Sequence, residues 1–122
     1  MMPITLQVTP NQEFQFNADG QQYDCRLWFD GDDMMFLDVA MNGTVIASSC
    51  PCLVNQQIMP YAYLEGAGGN FFFVTASGNN PAYQNFGGAD VLLYASNEEL
   101  ADERAAIALA ATTIALTQTQ AL

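Results

Sequence analysis

The chain has 122 residues and a mass of 13.3 kDa, a length that favours one compact domain. Thirteen acidic residues stand against two basic ones, Arg26 and Arg104, which gives a net charge of −11 at pH 7. This balance excludes binding to nucleic acid phosphates and polybasic contact with anionic lipid, because both require clustered lysine and arginine.

Short apolar runs alternate with polar residues at period two between residues 4 and 94, and Gly, Asn, Asp and Pro separate the runs. This pattern is typical of an antiparallel sheet protein. We therefore predict a small antiparallel β-barrel or β-sandwich over residues 1–95, followed by a C-terminal α-helix and tail over residues 96–122. The first predicted strand covers residues 4–8, and residues 10–11 turn the chain after it.

Asp19-Gly20 predicts the first hairpin, because this dipeptide suits a tight two-residue turn. Its flanking strands are predicted at residues 14–17 and 23–29. Alternation along the second of these strands places four side chains on one face. They are Tyr23, Cys25, Leu27 and Phe29.

Asn42-Gly43 predicts a second hairpin with a type I′ turn, since both residues tolerate positive φ angles. Its strands are predicted at residues 35–41 and 44–47. The following stretch, residues 48–57, contains a proline and predicts a strand end and a loop.

Residues 59–69 contain one proline and three glycines and predict a broad turn. Further strands are predicted at residues 70–76 and 91–94, with a loop at residues 77–81. The strand at residues 70–76 is apolar on both faces. One face is therefore predicted to pack in the domain core and the other, with Phe72, against a partner or the C-terminal segment.

The pattern changes at Ser96, where Ser96-Asn97-Glu98-Glu99 matches a capping box. In this motif the serine hydroxyl accepts from the third helical amide and the glutamate bonds back to the cap residue. Further acidic residues in the first turns suit the positive end of the helix dipole. We predict a helix from this point to about residue 117.

No charged residue follows Arg104, so the second half of the predicted helix is apolar on nearly all sides. Such a helix is normally buried, and a domain of this size has little room to surround one. The run at residues 105–116 is too short to span a bilayer. We predict packing against another subunit, either in a parallel bundle of copies or in a neighbouring protein. The predicted assembly interface consists of Leu100, Ile107, Leu109, Ile114 and Leu116 of the helix, together with Phe72.

Charged residues form 12% of the chain, about half of the ~25% usual in soluble domains, while 51% of the residues are hydrophobic. An isolated monomer usually keeps its surface soluble with many charges of both signs. The deficit therefore favours a homo-oligomer or a larger assembly in which neighbouring subunits cover the surface. A charge-poor monomer is the alternative.

The chain has no histidine, so it cannot form a Ser–His or Cys–His nucleophile or a histidine-ligated metal site. Its three cysteines form no complete disulfide framework, and reduced thiols are expected. The acidic residues 30–33 lack the ligand spacing of a calcium loop and predict an exposed turn. We expect no catalytic residue, no cofactor and no metal.

Two other functions are open by residue type. A glycosidase requires two carboxylates at a set separation, for which the candidates are Glu13, Asp24, Asp38 and Glu65. A sugar-binding surface requires exposed aromatic rings, for which the candidates are Trp28, Tyr61 and Tyr63. Packing of these rings in a core is the alternative for all three.

A series of short motifs in the second half of the sheet region resembles a known family. In chain order they are Tyr63-Leu64, Gly68-Gly69, Val74-Thr75, Pro81, Tyr83, Asn85-Phe86-Gly87 and Leu93-Tyr94. The N-terminal half is similar in layout, with an aromatic-rich strand at residues 23–29 and the hairpin at residues 42–43. Across residues 3–95 the chain resembles the baseplate plug family of contractile-tailed bacteriophages. The segment from residue 96 onward lies outside this likeness.

The resemblance implies a non-enzymatic virion structural protein of the tail baseplate, at the central hub where the tail tube ends above the spike. Its implied partners are other baseplate, hub and tail tube proteins and further copies of itself. No secretory signal is apparent in the first residues, so synthesis in the host cytoplasm without export is expected. We expect no direct contact with nucleic acid or membrane. The alternative is a carbohydrate-binding β-module on a host-contact surface.

Overall fold

The computed structural model describes the backbone of residues 1–120 and the side chains of residues 1–110. This part of the chain forms two antiparallel sheets followed by one long helix, so the predicted mainly β fold with a C-terminal helix is confirmed. The sheets are not closed into a barrel. The elements are β1 Met2–Ile4, β2 Asn11–Ala18, β3 Gln21–Phe29, β4 Met35–Met41, β5 Thr44–Pro51, β6 Asn70–Thr75, β7 Asp90–Ala95 and α1 Asn97–Gln120, with short 3₁₀ turns at Ala62–Glu65 and Tyr83–Asn85.

The four-stranded sheet has the order β2-β3-β4-β5, so each strand pairs with its neighbour along the chain. Both predicted hairpins are confirmed. The first turns at Asp19 and Gly20, with φ angles of 54° and 72°, and the second at Asn42 and Gly43, with φ angles of 53° and 83°. Two-residue turns with these angles follow the twist of the flanking strands.

The three-stranded sheet has the order β1-β7-β6, and here the predicted first strand is wrong. The strand is Met2–Ile4 rather than residues 4–8. Because β1 and β2 belong to different sheets, residues 5–10 cross from one sheet to the other. Leu6 is buried at this crossing, whereas Val8 is 63% exposed, so the apolar alternation reflects the crossing and not a strand.

The strand β5 extends beyond the predicted residues 44–47, because residues 48–51 continue it where the sequence predicted a strand end and a loop. Its pairing with β4 is irregular around Val39, and Ser49 has a φ angle of 53°, both of which mark a bulge. Pro51 is the last residue of this edge strand, a place where proline is tolerated. The predicted strands at residues 70–76 and 91–94 agree with β6 and β7 to within one residue at each end.

The inner faces of the two sheets pack around aromatic rings. Phe16 and Tyr23 of the four-stranded sheet meet Phe71 and Tyr94 of the three-stranded sheet, with ring centroids 5.3 to 5.9 Å apart in edge-on or tilted contacts. The predicted inner-face set of β3 is confirmed: Tyr23, Cys25 and Leu27 are buried and Phe29 is half-buried against the core.

Candidate interaction surfaces

The helix α1 begins at the predicted capping box. The Ser96 hydroxyl accepts a hydrogen bond from the Glu99 amide, and the Glu99 carboxylate accepts one from the Ser96 amide, each at 3.2 Å. The side-chain amide of Asn97 donates to Gly68 O at 3.1 Å. The hydrogen bond from Asn97 joins the first turn of the helix to the loop that precedes β6.

A buried polar network also holds the start of α1, and sequence analysis did not identify it. The Tyr94 hydroxyl donates to Asp19 Oδ2 and accepts from the Gly69 amide, both at 2.7 Å. The Asn97 amide donates to the same Asp19 oxygen at 2.9 Å. Burial, together with the hydrogen bond to Tyr23, raises the pKa of Tyr94 above its usual range.

The second turn of α1 is fixed by an ion pair. Arg104 donates from Nη1 and Nη2 to the two carboxylate oxygens of Glu65, at 2.9 and 2.8 Å. Glu65 is 3% exposed, and its Oε2 also accepts from the buried Asn70 side chain at 2.6 Å. The paired carboxylate raises the pKa of Arg104. Leu100, on the same turns, is 1% exposed, so it presents almost no surface to another subunit.

Beyond Arg104 the helix leaves the body of the domain. Residues 105–110 are all exposed, and Ile107 and Leu109 are 62% and 68% exposed. Two further predicted interface residues, Ile114 and Leu116, lie outside the described side chains. At 24 residues the helix is about 36 Å long, so most of its length extends past its anchored turns.

The outer side of the three-stranded sheet forms a second surface, here called the apolar outer face. Phe72 and Leu93 lie opposite each other in the register, and Val74 lies opposite Val91. Three of these side chains are half-buried, and Val74 is 45% exposed. Phe72 is therefore accessible from outside the chain, in the position where the sequence predicted an interface.

The outer side of the four-stranded sheet carries a stack of polar and aromatic groups. Trp28 stacks on Phe36 with ring centroids 4.8 Å apart, and the Arg26 guanidinium lies 5.6 Å from the Trp28 ring centroid. Both neighbours occupy the ring surface that a sugar would need for stacking. By contrast, Tyr61 and Tyr63 are 59% and 78% exposed and stack on each other, with centroids 5.6 Å apart.

Three of the four carboxylates weighed for glycosidase chemistry lie on this outer side. Glu13, Asp24 and Asp38 line an open cavity of about 460 Å³ around Arg26. Arg26 Nη1 lies 4.0 Å from Asp38 Oδ2. The fourth, Glu65, is remote from them in its pair with Arg104. The structure thus assigns Glu65 to helix anchoring rather than to a site with the other three.

The acidic loop at residues 30–33 forms a bend, as predicted. Asp30 Oδ1 accepts from the Asp32 amide at 2.8 Å and from the Met34 amide at 3.3 Å. These hydrogen bonds lower the pKa of Asp30. Among the side chains of residues 1–110, no group of three or more His, Cys, Asp or Glu residues is arranged to hold a metal ion. No helix in the described part of the chain combines the length and apolar character needed to cross a bilayer.

Residues 1–98 match a protein family described as cyanophage baseplate Pam3 plug gp18. The match covers both sheets and ends at the first turn of α1, so the projecting part of the helix lies beyond it. No curated protein matches the chain.

Proposed function

Because the chain belongs to the cyanophage baseplate plug family and is a structural component of a phage tail baseplate, we propose that it plugs or bridges the central hub at the end of the tail tube. It does so by packing against neighbouring subunits, including copies of itself, and without enzymatic activity. The family also implies a location in the virion tail and association with other baseplate components.

The observation that carries this proposal is the projecting helix. Its first two turns are fixed to the loop before β6 by the Glu65–Arg104 pair, whereas residues 105–110 are exposed. Burying Ile107 against another subunit contributes roughly 1.5 to 3 kcal/mol relative to leaving it exposed. The apolar outer face around Phe72 offers a second contact area on the same protein.

Composition supports the same proposal. With 12% charged residues, the chain has few charged side chains for its length, which suits repeated packing in a particle. A net charge of −11 repels the genome, so a protein of this charge near the path of the DNA would not bind the DNA as it passes.

The proposal is tested by locating the chain in particles. Cryo-electron microscopy of intact tails should show its density at the hub, and density elsewhere or none would contradict a plug. Assembly by the helix is tested with Ile107→Gln, which should lower incorporation into tails. The matched control is Asp102→Asn at an exposed position of the anchored turns, which should leave incorporation unchanged.

Self-association is tested by sedimentation of the full chain beside a version ending at residue 106. That end point retains Leu100 and Arg104, which belong to the domain's own packing. Self-association of the full chain that the shorter version lacks would support packing between copies. Two monomers would contradict packing between copies through the helix.

The second candidate function is carbohydrate binding, favoured by the exposed Tyr61–Tyr63 pair. A glycan array with purified protein separates the two. Two results together would favour the carbohydrate-binding module over the plug. The protein would bind glycans but lose this binding in Tyr63→Ala, and it would be absent from purified tails.

A further inference from the structure

The free edges of the two sheets differ in how they are protected. A strand edge with unpaired backbone groups invites pairing with another strand, so natural proteins usually block it. The strand β5 carries a bulge and ends at Pro51. The strand β1 has three residues, including Pro3. The edge of β6 is covered by the preceding loop, where the Asn55 amide donates to Phe73 O at 2.9 Å.

The strand β2 forms the remaining edge, and it has neither bulge nor proline. Ala18 and Gln21 flank the two-residue turn, so they form a hydrogen-bonded pair of the ladder. Because such pairs alternate along antiparallel strands, the backbone groups of Glu13, Gln15 and Asn17 point away from β3. Within the described residues no backbone group pairs with this side of β2.

The other end of this edge is closed by a side chain. Gln12 Nε2 donates to Gln7 O at 2.8 Å, and the Gln7 amide donates to Gln12 Oε1 at 3.0 Å. These bonds hold the segment before β2 against the start of the strand, where the Thr9 hydroxyl also donates to Asn11 O at 3.3 Å. The open part of the edge is therefore residues 13–17, here called the β2 open edge. The chain has no lysine, the residue that commonly guards such edges.

The inner side of the β2 open edge is apolar. Phe14 and Phe16 are half-buried, with ring centroids 6.3 Å apart, and Phe16 stacks on the buried Tyr23 at 5.0 Å. Side chains at alternate positions of an added strand would cover the exposed parts of these two rings. The edge therefore offers backbone hydrogen bonds together with an apolar contact, the combination used in recognition by strand addition.

We propose that the β2 open edge binds an extended segment of a neighbouring baseplate protein as a fifth strand, an inference that rests on the proposed function. The segment is apolar at the alternate positions facing Phe14 and Phe16 and basic at the position facing Glu13. Charge selects this occupant over a second copy. The outer side near the edge has Glu13, Asp24 and Asp38 against Arg26 alone, so a second copy added through its own β2 would bring the same carboxylates to this surface.

The decisive variant is Gln15→Pro, with Val45→Pro as its matched control. Gln15, Asp24, Ala40 and Val45 form one row across the sheet, so the two substitutions lie at its opposite edges. Gln15 lies three residues before Ala18, and Val45 lies one residue after Thr44, where Ala18 and Thr44 belong to the hydrogen-bonded pairs that close the two turns. Because hydrogen-bonded and non-hydrogen-bonded pairs alternate, both amides point away from the neighbouring strand. Proline at either site removes no hydrogen bond within the sheet.

Each full-length variant is supplied during assembly of phage that lacks its own copy, and the protein in purified tails is quantified by mass spectrometry. Gln15→Pro should lower incorporation roughly tenfold, through one lost hydrogen bond and steric blocking of the edge. Val45→Pro should enter tails like the wild type. Normal incorporation of Gln15→Pro would overturn the edge inference and leave the proposed function standing.

Two further outcomes of these experiments would lead to conclusions other than loss of the edge inference alone. Absence of the wild type from tails would overturn the proposed function, and the strand partner with it. A wild type that sediments as a dimer beside a monomeric Gln15→Pro would identify a second copy as the occupant and overturn the basic partner.

Hydrogen exchange tests the inference without a substitution, in case proline itself unfolds the sheet. In the isolated chain the amides of Gln15 and Asn17 should exchange fast, whereas those of Phe14 and Phe16 should be protected by β3. In purified tails the first two amides should become protected. Fast exchange of Gln15 and Asn17 in tails would show that no strand is added.

Discussion

Arg104 and Glu65, which are 39 residues apart in the sequence, form a two-pronged ion pair at 2.9 and 2.8 Å that fixes α1 to the loop before β6. The carboxylate is buried, and the Arg104 side chain is 40% exposed. Two parallel hydrogen bonds set the orientation of the guanidinium as well as its position. The direction in which the helix leaves the domain therefore depends on this pair.

Removing the cation should destabilise the domain. Arg104→Ala leaves the buried Glu65 carboxylate without its partner, which should cost on the order of 2 kcal/mol. That is below the ~3–5 kcal/mol for a fully buried pair, because Arg104 is partly exposed. The free energy of unfolding in urea measures the effect. Adding Glu65→Gln should restore part of the loss, and a double variant no more stable than Arg104→Ala would contradict the pairing.

Tyr94→Phe should destabilise the protein by about 1–3 kcal/mol, because Asp19 loses its donor and the buried Gly69 amide keeps only the longer 3.3 Å bond to the Tyr23 hydroxyl. The pH dependence follows from the raised pKa of Tyr94. Above about pH 10 the unfolded state releases the phenol proton while the folded state keeps it, so wild-type stability falls as pH rises. Urea unfolding near pH 8 and pH 11 should show a smaller fall in Tyr94→Phe. An equal fall in both proteins would exclude this linkage.

Gly69→Ala should unfold the domain or cost at least about 3 kcal/mol. An added Cβ would lie 1.8 Å from Ala95 O, a backbone atom fixed by the pairing of β7. Gly88→Ala is the control, because its Cβ would meet nothing within 4 Å. Thermal unfolding of both variants measures the difference, and similar midpoints would contradict the close approach at Gly69.

Gly43→Val should cost on the order of 1 kcal/mol or more through backbone strain alone. The φ angle of Gly43 is 83°, and a Cβ there meets no atom within 4 Å, so steric contact plays no part. Gly43→Asn should cost less, since asparagine tolerates positive φ. Equal stability of the valine variant and the wild type, measured in urea, would show that the turn differs from the one described.

The three thiols should be unreactive in the folded protein. Cys25, Cys50 and Cys52 are free and buried, and burial raises the pKa of each, that of Cys25 to about 12. Since the thiolate is the reactive form, Ellman's reagent at neutral pH should label none of them in native buffer and all three in denaturant. Rapid labelling of the native protein would show that at least one thiol is accessible.

Part of the candidate surface was predictable, and the limit is physical. An apolar helix with few charges indicates an interface, and Ile107 and Leu109 are exposed. The pattern could not show that Leu100 is buried by its own domain, because Leu100 and Ile107 lie seven residues apart on the same side of the helix. Only the anchor at Arg104 separates the packed turns from the projecting ones. The interface role of Ile107, Leu109, Ile114 and Leu116 stays a prediction.

The row formed by Glu13, Arg26 and Asp38 on the outer side of the four-stranded sheet was predictable only in part. The two-residue turn at Asp19 and Gly20 sets the register of β2 and β3, which places Glu13 opposite Arg26. The pairing of Glu13 with Arg26 could therefore be predicted from the sequence. Asp38 lies beside Arg26 because β3 pairs with β4. The loop between these strands has no turn motif that sets their register, so this pairing could not be predicted from the sequence.

The sequence by itself determined the elements whose signals are local. The turns at Asp19-Gly20 and Asn42-Gly43 follow from the φ angles those residues accept, and the start of α1 follows from hydrogen bonds within four residues. The tertiary structure alone decided that β1 pairs with β7 and that Glu65 meets Arg104, contacts between distant parts of the chain. Such contacts depend on how the sheets and the helix pack, and alternation or composition along the chain carries no record of which distant residues will meet.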